Sequence, residues 1–194
     1  NIKKINKSII YCSITGFGQN GPLALLPGYD FVIQAMAGIM SITGEKDGPP
    51  IKPGVAYADI FTSLYSVIAI QAALHSRKKT GIGSFIDMSL YDTQLAVLAN
   101  QASTYLLNDK EPKRMGNNHP SIVPYQLFEA KDGDIIIACG NDQQFKSLCN
   151  AFKWDFANSE KFSTNKKRIH NRIELISKLS NKLKKFKKEK IIKI

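Results

Sequence analysis

Residues 55–74 run VAYADIFTSLYSVIAIQAAL, and apolar side chains fill almost every face of the helix that this composition favours. Such a helix has no face to give to water, so it is expected deep inside a layered fold. Its end is marked as clearly as its body. His75, Arg77, Lys78 and Lys79 form a basic last turn, favourable at the negative end of a helix, and Gly81 follows as the stop. Strand-like runs flank it at residues 9–14 and 84–89, so the expected class is α/β. The stretch SLYDTQLAVLANQASTYLL predicts a second helix, with Ser89 as N-cap and Asp92 in the capping-box position. Residues 31–42, mostly apolar with small side chains, predict a buried helix.

The 194-residue chain is long enough to bury a sizeable core. It opens on Asn1 just ahead of a strand, so a piece of a longer protein is expected. No apolar run is expected to reach the ~18–20 residues of a membrane span, and no signal-peptide pattern opens the chain. Cys12, Cys139 and Cys149 lack metal-like spacing, and an odd count without a framework suits a reducing, cytoplasmic compartment. His75, His119 and His170 lie far apart, so no metal site is expected.

The net charge of +11 is unevenly spread. Residues 160–194 hold 13 Lys/Arg against 3 Glu, whereas residues 1–159 carry a net charge of only +1. Clustered lysines can hold nucleic acid through phosphates. Only Phe186 interrupts the lysines at the end, however, and Ile169, Ile173, Ile176, Leu179, Leu183 and Phe186 recur at steps of three and four. That pattern predicts one amphipathic helix with a solvated Lys face rather than a nucleic-acid site. Before it, YQLFEAKDGDIIIACG predicts a hairpin around Lys131-Asp132-Gly133, and Asn141 or Asp142 a helix cap.

Gly16, Gly18 and Gly21 spell G-x-G-x-x-G after the first strand. A dinucleotide loop needs a helix N-terminus there, so that backbone N–H groups meet the pyrophosphate. Pro22 and Pro27-Gly28 forbid a long helix in that window, which leaves a flexible surface loop. Asp59 is the more telling residue. It falls in the first turn of the apolar helix, between Ala58 and Ile60. A carboxylate buried there needs partners or a chemical role. As a first-turn acid it would favourably meet the helix dipole. Gly54, Ala56 and Ala58 leave space beside it, so it could also attack an activated acyl carbon while the helix N–H groups hold the oxyanion.

SITGFGQNGP, PGYDFVIQAMAGIMSITGEKDGPP, KPGVAYADIFTSLYSVIAIQAALHSRKKTGIG and IDMSLYD together resemble the class III CoA-transferases, a family that includes formyl-CoA transferase, carnitine CoA-transferase and, as a relative, alpha-methylacyl-CoA racemase. RMGNNHPSIVPYQLFEAKDGDIIIACGNDQQFKSLC resembles the passage into the family's small domain. The resemblance implies an incomplete Rossmann-like large domain over residues 1–107, a linker over 108–124, and the start of a small α/β domain over 125–194. It implies interlocked homodimers in the full-length protein. It also implies that Asp59 is the nucleophile and that Pro27, Gly28, Tyr29 and Asp30 border the CoA thioester. The substrates would be an acyl-CoA and a small carboxylic acid, with no permanently bound cofactor, no metal, no nucleic acid and no membrane. A lysine that meets CoA phosphates near the position of Pro27 in some members is missing here. Racemase relatives carry a histidine where Tyr29 stands; a phenol is a poor base at neutral pH, which favours transfer over racemisation. The loop at residues 116–120 aligns with an active-site lid in some transferases, with His119 expected as a linker residue. A non-catalytic fragment with a basic tail is the remaining alternative.

Overall fold

The computed structural model describes residues 2–194, which form two compact units divided between Arg114 and Met115. In the first unit, helix α1 (Ile2–Ile5) leads into strand β1 (Tyr11–Thr15). Helices α2 (Asp30–Met36) and α3 (Tyr57–Thr80) precede strand β2 (Phe85–Ser89), and α4 (Leu90–Val97) and α5 (Asn100–Asn108) follow it. β1 and β2 pair in parallel, from Tyr11 opposite Phe85 to Thr15 opposite Ser89. Parallel neighbours need a long crossover, and α3 supplies it while packing on both strands. The predicted stop holds: Gly81 adopts φ 71° and donates its N–H to the Arg77 carbonyl.

α3 is not deeply buried. Its buried residues are Ala58, Thr62, Ser66 and Ala73, a stripe of small side chains. Leu64, Val67 and Ile68 are 54%, 57% and 64% exposed. The cause is a shortage of layers. The strands, α2 and α4 cover one side of α3, and an all-round apolar helix has another side to cover. The buried stripe is small because α4 comes close: the Thr62 and Thr93 hydroxyl oxygens lie 2.6 Å apart. The expectation that nothing is apolar enough to span a membrane also needs correction. By length and composition α3 would qualify. It nonetheless packs as the crossover helix of an α/β unit.

Two further predicted helices are interrupted. The run from Ser89 begins as expected, with Ser89 Oγ accepting from the Asp92 N–H at 3.2 Å, but Ala99 at φ 48° splits it into α4 and α5. The helix predicted over 31–42 ends at Met36; Gly38 at φ 92° turns the chain and a 3-10 turn, Met40–Ile42, follows. Ile33 and Gln34 are buried there, whereas Phe31, Val32 and Met36 are exposed.

The second unit opens with an antiparallel hairpin, β3 (Tyr125–Ala130) and β4 (Gly133–Ala138), turning at Lys131-Asp132 as the sequence predicts. Helix α6 (Asp142–Ala151) is capped by Asn141, whose Oδ1 accepts from the Gln144 N–H at 2.9 Å. The basic end forms three helices rather than one: α7 (Asn165–His170), α8 (Arg172–Leu183) and α9 (Lys188–Lys193). Asn171 lies between α7 and α8, and its side chain donates to the Lys161 and Lys167 carbonyls. That break resets the apolar stripe to Leu175, Leu179 and Leu183, all buried, and leaves Ile173 in solvent. The tail folds back on the hairpin through Lys188 N–H to Asp132 Oδ1 (2.7 Å) and an ion pair between Lys184 and Glu129 (2.8 Å).

Arg168 anchors this core. It is fully buried, with Nε donating to the Val123 carbonyl at 2.6 Å and Nη1 to the Phe162 carbonyl at 3.1 Å. Nη2 lies 2.8 Å from Asp142 Oδ1, and the guanidinium carbon sits 4.5 Å from the centre of the Phe145 ring. Burial pushes the Cys139 thiol up to about 11, with Arg168 pulling the other way.

Candidate functional site

The glycine loop is set by close contacts around its ends. Gly16 crosses Gly28, and a Cβ on either would come within 2.5 Å of the other's Cα. Both must be glycine for the loop after β1 to touch the segment entering α2. Gly18, at φ 84°, donates its N–H to Thr15 Oγ1 at 2.9 Å, and the next amide, Gln19 N–H, donates to Asp87 Oδ2 at 2.9 Å. The Gly16 carbonyl accepts from the Tyr91 N–H at 3.0 Å. The loop is therefore tied to β2 and to the start of α4, and no helix begins within it.

That crossing delivers Tyr29 and Asp30 to the start of α3. Tyr29 precedes α2 in extended conformation, and the residue is 76% exposed. Pro27 is exposed, and Gly28 is spent on the contact with Gly16. Asp30 points at α3. Its Oδ1 accepts from the Ala58 N–H at 2.9 Å and, at a longer 3.5 Å, from the Asp59 N–H. Its Oδ2 accepts from Gln34 Nε2 at 2.7 Å. The residue at the N-cap position of α3, Ala56, has no side chain able to cap, so Asp30 does that work from a distant part of the chain.

Asp59 is in the first turn of α3, as expected, but it is exposed rather than buried. Its carboxylate has no hydrogen-bond or ion-pair partner among the described residues. Burial therefore sets no cost on this carboxylate, and an exposed acid with no partner is open to a substrate. Of the helix N–H groups expected to hold an oxyanion, those of Ala58 and Asp59 are instead taken up by Asp30. Asp30 and Asp59 are brought together at one helix start. No hydrogen bond joins either to Tyr29's ring or to Pro27 among the described residues.

Two residues of the site escape a reading of the sequence. Gln34, wholly buried, stands as a lone amide in the apolar run FVIQAM. Asp87, which holds the glycine loop, stands as a lone acid in the strand FIDMS. In both, the signal is a polar side chain inside an apolar element. Elsewhere in this unit a cleft of about 930 Å³ is walled by Leu95, Leu98, Tyr105 and Leu106 and edged by Lys46 and Arg114; none of the site residues lines it.

In the second unit the segment after Gly116 is held fast. Arg172 Nη2 donates to the His119 and Pro120 carbonyls at 2.9 and 3.0 Å, and Asn165 bonds the Ser121 carbonyl and the Val123 N–H. His119 Nδ1 accepts from the Ser121 N–H at 3.0 Å, and its ring packs 5.0 Å from that of Tyr125. His119 is thus engaged structurally within the second unit.

Compared with known proteins, the whole sequence, residues 1–194, matches CoA-transferase family III. The chain belongs to that family. It is 49% identical over 193 residues to the succinate–glutarate CoA-transferase of Agrobacterium fabrum, covering 99% of this chain and 48% of that protein. It is 48% identical over 183 residues to the human succinyl-CoA:glutarate CoA-transferase, covering 94% and 42%. The crystal structure of a CaiB/BaiF family protein from Brucella suis superposes with a TM-score of 0.79 at 54% identity, over 98% of this chain and 51% of that one. The family III chain described here therefore spans about half the length of the relatives it matches. Its mixed α/β architecture is that of a partial class III fold.

Proposed function

We propose that this chain is the nucleophile-bearing part of an acyl-CoA:carboxylate CoA-transferase, with Asp59 as the nucleophile. The observation that carries the reading is the unpartnered, exposed Asp59 carboxylate on the first turn of α3, in a chain of CoA-transferase family III. The two helix amides beside it, of Ala58 and Asp59, are engaged by Asp30.

The chemistry balances without a metal or nucleotide. The Asp59 carboxylate attacks the thioester carbon; the C–S bond breaks and CoA leaves as thiolate, giving a mixed anhydride. The thiolate then attacks the Asp59 carbonyl of that anhydride, expelling the donor acid and forming an aspartyl-CoA thioester. An acceptor carboxylate attacks this thioester in turn and releases thiolate, which takes the acceptor's acyl group and restores Asp59. The thioester's energy is conserved throughout. Of the four residues expected to border the acyl-CoA, Pro27, Gly28 and Tyr29 lie beside its path in this reading, whereas both Asp30 oxygens are given to the start of α3 and to Gln34; Tyr29 favours transfer over racemisation because a phenol is a poor proton acceptor at neutral pH. The two relatives named above act on succinate and glutarate by their names, so small dicarboxylic acids are the proposed substrates.

The exposed apolar side of α3 supports a complete enzyme in which more chain covers it, consistent with interlocked homodimers. Free thiols at Cys12, Cys139 and Cys149 go with a cytoplasmic location. The test is Asp59→Asn in the complete polypeptide that carries these residues, with transfer of CoA from succinyl-CoA to labelled glutarate as the readout. A loss of about a thousandfold or more in kcat is expected. Transfer at the parent rate would refute the assignment.

A further inference from the structure

We propose that Gln34 and Asp30 act as a positioning pair that keeps Asp59 free to react. The proposal rests on the reading of Asp59 as nucleophile and assigns neither member contact with substrate. Counting from Ala56 as the N-cap, Ala58 and Asp59 occupy the second and third helical positions. Those are the two amides that an N-cap side chain normally accepts from. Asp30 takes both, from across the chain. An acid at the third helical position is also drawn to the free N–H groups and the positive dipole of its own helix start. Asp59 sits there, so in an α3 without Asp30 the Asp59 carboxylate can bond to its own helix end. A carboxylate so engaged is withdrawn from attack. Two acids at one helix start thus divide the labour, one capping and one reacting.

Gln34 decides which acid does which. It is fully buried, and its Nε2 donates to Asp30 Oδ2 at 2.7 Å and to the Val55 carbonyl at 3.3 Å, just ahead of α3. One amide group therefore fixes the Asp30 rotamer and the approach of the chain to the helix. Its Oε1 is buried with no partner among the described residues. A core glutamine that served packing alone would be better replaced by an apolar side chain, because an unmade buried hydrogen bond costs about 1–3 kcal/mol. The cost is borne where the donor end of the amide orders the nucleophile's helix.

The test uses the complete polypeptide with succinyl-CoA and glutarate. Gln34→Glu sets a carboxylate against Asp30 Oδ2 and is expected to lower kcat about 100-fold, the scale of an ångström misplacement, with KM for succinyl-CoA changed less than about threefold. Asp30→Asn alone turns an amide donor toward Gln34 Nε2 and is expected to lose activity in the same way. The double variant Asp30→Asn/Gln34→Glu restores a donor–acceptor pair and is expected to recover at least about tenfold in kcat over the Gln34→Glu single variant. Should Gln34→Glu not fold, Gln34→Met, which deletes the donor without adding charge, is read instead, with a fall in kcat of about tenfold or more expected. Single variants that fold and keep kcat within about threefold of the parent, or a folded double variant no better than the Gln34→Glu single, overturn the proposal. Hydroxylamine trapping of the acylated parent separates this from the nucleophile assignment. Label on Asp59 with unaffected Gln34 variants defeats the pair alone, whereas label elsewhere defeats the reading of Asp59 on which the pair rests.

Discussion

Replacing Arg168 by methionine should cost the second unit about 3–5 kcal/mol. The guanidinium is wholly buried and donates to two carbonyls, those of Val123 and Phe162, which methionine leaves without a donor. Hydrogen bonds from a charged group contribute about 1.5–3 kcal/mol each, and stranding a buried carbonyl carries its own desolvation cost. The pair with Asp142 adds little to this sum, because that carboxylate is 48% exposed and can rehydrate when its partner goes. The similar volume and flexible stem of methionine keep the packing loss small. Arg168→Lys should fall between, at about 2 kcal/mol, since an ammonium cannot reproduce the guanidinium fork. The protein supplies its own probe: Trp154, the single tryptophan, is buried in this unit and stacks on Phe152 at 4.3 Å. Denaturant unfolding followed by tryptophan fluorescence therefore reports the unit that holds Arg168. A loss below about 1 kcal/mol in Arg168→Met would refute the accounting, because it would mean that neither carbonyl needs its donor.

Gly16→Ala drives a Cβ to 2.5 Å from the Gly28 backbone and should destabilise the first unit by about 1–3 kcal/mol by thermal unfolding, while Gly54→Ala, whose Cβ meets nothing within 4 Å, should stay within about 0.5 kcal/mol. In native alkylation, half-buried Cys12 should react well before Cys139 and Cys149, whose thiols burial holds above their ordinary value. Because the folded Cys139 keeps its proton to about 11 while the unfolded thiol releases it near 9.0, stability is unaffected by this group below that lower value and falls as pH rises between the two. The 194-residue chain alone should bind a hydrophobic dye and self-associate through α3, and Leu64→Gln with Ile68→Gln should reduce both, as read by light scattering.

Features carried by neighbouring residues were legible in the sequence. Gly81 as the stop of α3, Ser89 and Asn141 as caps and the Lys131-Asp132 turn each depend on a few adjacent side chains, and each lies where the pattern puts it. Features that depend on what stands opposite were not legible. Whether Leu64 and Ile68 are covered depends on how many layers surround α3, which its own composition does not state. The split at Ala99 has no Gly or Pro to announce it. Ile173 looked like a core position because the spacing was extended through Asn171, where the helix breaks. The site divides along the same line. Asp59 was visible as an acid at the start of an apolar helix. Its cap comes from Asp30, and no local pattern links residues so far apart.

The most direct measurement is mass spectrometry of the complete polypeptide after turnover with succinyl-CoA and quenching by hydroxylamine. The account predicts a hydroxamate on Asp59, absent without the thioester and absent in Asp59→Asn. A modification on any other residue, with Asp59 unmodified during steady turnover, would contradict it.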